Sequence, residues 1–221
     1  MSGTVYEAPV PWFPPPARLA VLLSGRGSNF EALADACDAG TLPARIVSVV
    51  SDDPRAVGLA RARERGLRAE AFPREAFPDR SAHEGAIARE LADASPDVLC
   101  LAGFMRLLSA DFCARWPLRM LNIHPSLLPS FPGLHGQRQA LEWGARITGA
   151  TVHFVDAGLD AGPIVDQAAV EISPGDDEES LSARILLEEH RLYPRALGRL
   201  LRGGWRVAGR RIDIRDAKSL F

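Results

Sequence analysis

The sequence predicts an α/β fold with a mostly parallel central sheet, helices on both faces of that sheet, and antiparallel strands added in the C-terminal half. Through residue 124, apolar strand-like runs alternate with longer amphipathic segments, an order typical of parallel sheets flanked by helices. The run Val98–Leu101 is apolar on both faces, as expected of a central parallel strand. After residue 124, two alternating segments joined by a Gly-rich turn indicate an antiparallel pair.

Each element is predicted from its own hydrophobic pattern. Short apolar runs bounded by polar or turn residues predict strands, and longer segments with helical periodicity predict helices. In the first half, strands are expected at 18–23, 45–51, 97–102 and 119–124, with a shorter one at 68–72, and helices at 29–39, 55–65 and 81–94. In the second half, we expect a helix at 137–143, strands at 150–155 and 164–172, a long helix at 178–201, and a terminal hairpin at 205–214 around Gly209.

The chain of 221 residues has the length of one sizeable domain, which we place at 17–221. Residues 1–16 differ in composition, because they contain five prolines. We expect this segment to be disordered or extended, with Trp12 and Phe13 as candidates for packing against the domain.

Composition excludes some classes of partner. The formal net charge of −2 provides no basic field for nucleic acid or an anionic membrane, and no run of eighteen apolar residues suggests a membrane span. The three cysteines, Cys37, Cys100 and Cys113, form no C-x-x-C pair, which indicates a cytoplasmic protein without disulfides. We therefore expect no nucleic-acid partner and no membrane partner.

Asn122 and His124 form the most informative pair in the chain. They lie two residues apart at the end of a predicted strand, so their side chains share one face. Pro125 then ends the strand. An amide donor beside a titratable ring suits the stabilisation of an oxyanion and the movement of a proton. The alternative is a polar strand end followed by a turn.

A glycine loop, Ser-Gly-Arg-Gly-Ser-Asn at 24–29, follows the first strand of the domain. Gly25 and Gly27 allow a tight turn, and Ser28 is a candidate N-cap of the next helix, whose exposed backbone amides suit a phosphate group. The loop lacks the Gly-Lys-Ser/Thr ending of a Walker motif, and Phe30 replaces the third glycine of a dinucleotide fingerprint. The alternative is a turn that binds nothing.

A second Gly-rich turn, at 156–163, contains two carboxylates. Asp156 fits a solvated turn, whereas Asp160 would orient an imidazole and raise its basicity if the two groups met. Sequence spacing does not show whether they meet. We expect His153, inside the preceding strand, to be packed or hydrogen-bonded and not a metal ligand.

Several sequence motifs together resemble those of the phosphoribosylglycinamide formyltransferases, a group within the folate-dependent formyltransferase family. The resemblance covers about residues 18 to 200 and includes the loop at 24–29 and Ala-Gly-Phe-Met-Arg-Leu-Leu at 102–108. It also includes Asn-Ile-His-Pro-Ser-Leu-Leu-Pro at 122–129 and the segments 132–135, 151–155 and 159–163. Methionyl-tRNA formyltransferase and formyltetrahydrofolate deformylase share the Asn-x-His-Pro string, while the 24–29 loop favours the ribonucleotide enzymes.

The resemblance implies the formyltransferase fold, with a phosphate-binding half at about 17–117 and a folate and catalytic half at about 118–221. It implies transfer of the formyl group of 10-formyltetrahydrofolate, a co-substrate, to the amine of glycinamide ribonucleotide in de novo purine biosynthesis. It further implies a monomer or homodimer that uses no metal. A hydrolase that uses the same site, and a phosphate-binding module without catalysis, are the alternatives.

By the same resemblance, residues of three groups form the site. The catalytic residues are Asn122, His124 and Asp160. The phosphoribosyl contacts are Gly27, Ser28, Asn29 and Glu189. The folate contacts are Arg80, Met105, Arg106, Leu107, Leu108, Asn122, Asp156, Ala157, Gly158, Leu159 and Asp160. The chain departs from the family pattern at Ala161, which replaces a glycine, at Gln137, which replaces a second histidine, and at the apolar start of 186–189.

Overall fold

The computed structural model describes residues 5–214. Its first half contains β1 (Val5–Glu7), β2 (Ala17–Leu23), α1 (Ser28–Asp38), β3 (Ala44–Ser51), α2 (Val57–Glu64), β4 (Ala69–Ala71), a 3₁₀ turn (Arg74–Ala76), α3 (Arg80–Ala94) and β5 (Val98–Leu101). Its second half contains α4 (Ala110–Cys113), β6 (Met120–His124), α5 (Gly136–Glu142), β7 (Ile147–Phe154), β8 (Ile164–Glu171), α6 (Glu178–Leu201), β9 (Trp205–Ala208) and β10 (Arg211–Ile214).

Seven strands form the main sheet, in the order β4-β3-β2-β5-β6-β7-β8. The first five are parallel, and β7 and β8 are antiparallel. The predicted fold class is therefore confirmed. Every strand and helix predicted between residues 18 and 201 is present, with its ends displaced by at most a few residues.

Side chains of the central strands alternate between two hydrophobic cores, one on each face of the sheet. In β2, Leu19, Val21 and Leu23 belong to the core that α1, α2 and α6 cover. Ala20 and Leu22 point into the other core, with Ile87 and Leu91 of α3. This alternation with burial on both faces explains why these strands appear in the sequence as unbroken apolar runs.

Of the N-terminal segment, residues 5–16 lie against the domain, and residues 1–4 are outside the described residues. β1 pairs with β9, which pairs with β10, so that three strands form a small second sheet. Trp12 is buried and packs edge-on against Trp205 at 4.9 Å between ring centroids. The predicted hairpin at 205–214 is confirmed, whereas β1 was not predicted, because prolines dominate the composition around it.

The topology brings loops from three parallel strands to one edge of the sheet. β5 lies between β2 and β6, so the segments that follow residues 23, 101 and 124 emerge side by side. From β2 the chain continues to β3 on one side and later crosses to β5 on the other side, so the strand order reverses between β2 and β5. Ligands of open α/β sheets bind where the strand order reverses. Within residues 5–214, no helix has the length and apolar character needed to cross a membrane.

Candidate active site

A cavity of about 530 Å³ opens at this edge of the sheet. Its walls are formed by the residues after β5, by the end of β6, and by the turns around residues 133–137 and 156–160. Asn122, His124 and Asp160 all line it, as do all the predicted folate contacts except Arg80 and Ala157. The volume falls within the range of small-molecule sites, which is about 300–1,000 Å³.

His124 is held between a backbone carbonyl and a carboxylate. Its Nε2 lies 2.9 Å from the carbonyl oxygen of Phe131, which can only accept, so Nε2 bears a proton and donates it. Its Nδ1 lies 3.5 Å from Oδ2 of Asp160. The ring is buried, at 5% exposure. Nδ1 of His124 therefore faces the carboxylate of Asp160 in a place shielded from solvent.

His153 orients the carboxamide of Asn122. The two residues lie opposite each other in the antiparallel pairing of β6 with β7. The Nδ1 of His153 donates to the carbonyl of Phe154 at 2.9 Å, which leaves Nε2 to accept from Nδ2 of Asn122 at 3.2 Å. Burial lowers the pKa of His153 and keeps the ring neutral, as an acceptor must be. The prediction that His153 is packed and hydrogen-bonded is confirmed.

Asp160 lies at the centre of the cluster. Its Oδ2 accepts a hydrogen bond from the backbone N–H of Gly133 at 2.7 Å, and its Oδ1 lies 3.6 Å from Nε2 of His153. Asp160 adopts a left-handed backbone conformation with φ 46°. Gly162 fixes the turn against β7, because a Cβ at that position would lie 1.8 Å from the carbonyl oxygen of Phe154.

The glycine loop turns tightly into α1. Gly27 has φ 75°, and a Cβ there would lie 2.5 Å from the Cα of Gly58, so only glycine fits this contact. Gly27 is also the N-cap of α1, and no side chain caps the helix. The expectation that Ser28 is the N-cap is therefore wrong, and Ser28 is the first helical residue. The amides at this helix start remain suited to an anion.

Asn29 and Glu189, which are far apart in the sequence, form a buried pair. Nδ2 of Asn29 donates to Oε2 of Glu189 at 2.7 Å. Burial raises the pKa of Glu189, and the hydrogen bond from Asn29 offsets part of that rise. Oδ1 of Asn29 is buried without a hydrogen-bond partner among residues 5–214. The structure thus joins two of the predicted phosphoribosyl contacts, although the 27–29 loop and Glu189 do not line the cavity itself.

The segment 105–108 is held in place by three polar contacts. The backbone N–H of Met105 donates to Oγ of Ser24 at 2.8 Å, and Nε of Arg106 donates to Oδ2 of Asp52 at 2.6 Å. Arg80 donates to the carbonyl of Leu107. The side chains of Met105 and Leu107 are largely exposed around the cavity, as are those of Leu134 and Leu159. Such an apolar rim suits a flat aromatic ligand.

Sequence reasoning missed several supporting residues of the site. Ser24 and Asp52 each directly follow a parallel strand, and that position at the carboxyl edge was a usable signal. Glu84 accepts from Nε of Arg80 and from the backbone N–H of Ser109, but nothing in the α3 pattern marks it. The contact of His124 with the carbonyl of Phe131 could not be predicted from the sequence, because every residue has a backbone carbonyl.

Known proteins resemble the chain over most of its length. The sequence profile described as "Formyl transferase" matches residues 17–197. Phosphoribosylglycinamide formyltransferase of Escherichia coli is 44% identical over 176 residues, which are 80% of this chain and 83% of that protein. Trifunctional purine biosynthetic protein adenosine-3 of Drosophila melanogaster is 50% identical over 84% of this chain, but the chain spans only 14% of that protein's length.

A solved structure has the same fold. The crystal structure of glycinamide ribonucleotide transformylase 1 from Symbiobacterium toebii superposes with a TM-score of 0.88 and 48% sequence identity, over 90% of this chain and 94% of that one. The extent of the profile match and the identity to a protein of similar length agree with the architecture described above. The chain belongs to the formyl transferase family.

Proposed function

We propose that the protein transfers the formyl group of 10-formyltetrahydrofolate to the amine of glycinamide ribonucleotide, which yields formylglycinamide ribonucleotide and tetrahydrofolate in purine biosynthesis. The observation that supports this most strongly is the convergence of three side chains on one cavity. Nδ1 of His124 lies 3.5 Å from Asp160, and Asn122, on the same strand face, also lines that cavity. The names of relatives of similar length agree with this reaction.

The reaction needs a stabilised oxyanion and a route for one proton. The amine attacks the formyl carbon, and negative charge develops on the formyl oxygen. Nδ2 of Asn122 has two N–H groups, of which one is bound to His153, so the other is free to donate to that oxygen. A positively charged His124 adds a second stabilising group. Asp160 balances the imidazolium charge and receives the proton that leaves the amine, directly or through one water.

The proton then goes to the folate nitrogen as the carbon–nitrogen bond of the donor breaks. No covalent enzyme intermediate is needed, and the acid and base are side chains of this chain. His124 donates Nε2–H to Phe131, so Nδ1 is the ring nitrogen that faces Asp160. In this proposal Asp160 carries the proton, and Nδ1 is the atom of His124 that contacts its carboxylate.

Each substrate has its own part of the site in this proposal. The phosphate of the ribonucleotide binds the backbone amides of Gly27, Ser28 and Asn29 at the start of α1, and Glu189 contacts the ribose. The folate ring lies against the segment 105–108 and the turn 156–160, with Arg80 near its anionic tail. The two substrates meet where β2, β5 and β6 end side by side.

The proposal also covers the cellular compartment, the oligomeric state and the partners of the enzyme. We propose a cytoplasmic monomer or homodimer that acts on small molecules and not on nucleic acid or membranes. The net charge of −2 supports small-molecule substrates over polyanions. All three cysteines are free, which suits a reducing compartment.

The test is formyl transfer with both substrates, measured for the wild type and for Asn122→Ala and His124→Ala. Each variant should lose on the order of 10²–10³ in kcat, the usual effect of removing one oxyanion donor. Circular dichroism and thermal unfolding establish that each variant is folded. Normal turnover in a folded His124→Ala protein would contradict the mechanism.

Two further measurements separate the alternatives. Formyl release that proceeds at full rate without the ribonucleotide would indicate a hydrolase. Tight binding of NAD in a calorimetric titration, together with no binding of folate, would indicate a nucleotide-binding module without catalysis. We expect formyl release that depends on glycinamide ribonucleotide, and binding of folate.

A further inference from the structure

The backbone carbonyl that accepts the Nε2 proton of His124 belongs to a strained residue. Phe131 has φ 55°, in the left-handed region, which is uncommon for a bulky side chain. A residue keeps such a conformation only where the surrounding structure holds it there. The ring of Phe131 is partly exposed, so its own packing is a weak constraint. The backbone on either side of the residue must therefore be held by other contacts.

Ser126 provides these contacts from the interior of the same loop. It is fully buried, at 0% exposure, and its Oγ donates to the carbonyl of Ser130 at 2.6 Å. The same Oγ lies 3.3 Å from the carbonyl oxygen of Phe131. One hydroxyl thus contacts the carbonyls on both sides of the Cα of Phe131. Gly136 closes the opposite side, because a Cβ there would lie 3.3 Å from the Phe131 carbonyl oxygen.

Ser126 is itself bound to the main sheet. Its carbonyl accepts from Oγ1 of Thr151, on β7, at 2.6 Å. That Oγ1 accepts from the backbone N–H of Leu128 at 3.1 Å and from Nε2 of Gln167, on β8, at 2.9 Å. Nε2 of Gln167 also donates to the carbonyl of Leu128 at 2.9 Å. A continuous polar network therefore connects β8, the last strand of the main sheet, to the carbonyl that faces His124.

We infer that Ser126 is a positioning residue for the reaction, which acts on His124 through the carbonyl of Phe131. The inference rests on the proposed function, because it concerns the ring that the proposed transfer uses. Ser126 lines neither cavity, so it acts without touching a substrate. The carboxylate of Asp160, 3.5 Å from Nδ1 of His124, attracts a ring proton to that nitrogen. The carbonyl held by Ser126 competes for the proton on the other side and fixes the plane of the ring.

The kinetic test is Ser126→Ala, which removes the hydroxyl and leaves its carbonyl acceptors without a donor. The kcat of formyl transfer should fall roughly five- to fiftyfold, the range expected when a shielded acceptor loses its hydrogen bond. KM for both substrates should stay near the wild-type value. Gln167→Leu removes both donors of a more exposed side chain and should lower kcat roughly two- to fivefold. Ser130→Ala, which removes an exposed hydroxyl from the same loop, is the matched control and should change neither constant.

A second readout needs no substrate. In alkaline solution, ¹⁵N spectra of histidine-labelled protein report which ring nitrogen bears the proton. The chain has five histidines, and the signals of His124 are those absent from His124→Ala. We expect the proton on Nε2 in the wild type and in Ser130→Ala. In Ser126→Ala, and to a smaller extent in Gln167→Leu, it should shift toward Nδ1, next to Asp160.

Wild-type kcat and an unchanged ring proton in a folded Ser126→Ala protein would overturn the inference and leave the proposed function intact. A rise in KM at unchanged kcat would also overturn it, because Ser126 would then shape the cavity. So would a lower kcat with the ring proton unchanged, which a general loss of structure explains. If thermal unfolding shows that Ser126→Ala does not fold, an unchanged ring proton in Gln167→Leu overturns the inference instead. No transfer by the wild type would overturn the proposed function, and the inference with it.

Discussion

Asp160→Asn is the most direct test of how the cluster works. The substitution removes the negative charge but keeps the shape, and Oδ1 of the new amide can still accept from the N–H of Gly133. Asparagine also tolerates the left-handed backbone, which has φ 46° at this position. The variant should therefore fold normally and lose only the charge that faces His124.

The expected loss of activity follows from the distance between Nδ1 of His124 and Oδ2 of Asp160. Two unit charges 3.5 Å apart interact by about 5 kcal/mol at an effective dielectric constant near 20. This is an upper limit, because the nearest atoms define the distance and water enters the open cavity. A loss of about 3–4 kcal/mol in transition-state stabilisation corresponds to roughly 10²–10³ in kcat, at about 1.4 kcal/mol for each factor of ten.

The assay is steady-state formyl transfer at saturating substrates, with thermal unfolding as the measure of folding. Asp111→Asn, which removes an exposed carboxylate from α4, should leave kcat unchanged. Asp160→Asn combined with His124→Ala should be little slower than His124→Ala alone, because the two residues act as a unit. A folded Asp160→Asn enzyme with more than about a tenth of wild-type kcat would refute the reasoning, since charge at 3.5 Å would then contribute little.

Three other residues yield predictions. His153→Phe removes the acceptor that holds Asn122, so kcat should fall roughly two- to tenfold, the value of one hydrogen bond. Because burial lowers the pKa of His153, the wild type should lose stability as pH falls below about 6.5, and His153→Phe should lose less in urea titrations. Burial raises the pKa of Glu189, so ionisation of this carboxyl in the folded protein is unfavourable. Glu189→Gln should therefore raise the melting temperature near pH 8. The difference in melting temperature between the variant and the wild type should shrink toward pH 4. Trp12→Ala should cost about 3–5 kcal/mol in urea unfolding, because it empties a buried aromatic site.

The central sheet could be predicted because each strand contains its own evidence. Residues such as Val21 and Leu22 are both buried, on opposite faces, so a short unbroken apolar run is the expected signature. β1 could not be predicted in this way. Its three residues are exposed and owe their conformation to pairing with β9, which lies nearly the whole chain away. Strand pairing at that separation leaves no periodicity in the strand itself.

In the candidate site too, local features could be predicted from the sequence and long-range ones could not. That Asn122 and His124 face one way follows from their spacing in a strand, which is local geometry. The distance between His124 and Asp160 depends on the register of β6 against β7 and on the turn that follows β7, so it required the structure. The same register places His153 opposite Asn122, and it explains why the role of His153 in orienting the amide was not evident from the sequence.

The two proposed substrate regions are joined by hydrogen bonds of the backbone and of the short side chain of Ser24. Ser24, which begins the glycine loop, accepts the backbone N–H of Met105, which begins the segment beside the cavity. The backbone N–H of Ser24 in turn donates to the carbonyl of Gly103 at 3.0 Å, so the ends of β2 and β5 are bonded in both directions. Gly27 then packs directly on Gly58. With both loops fixed by neighbouring parallel strands, the separation of the proposed phosphate and formyl sites is set before either substrate binds. Such positioning provides a large part of the rate of a group transfer.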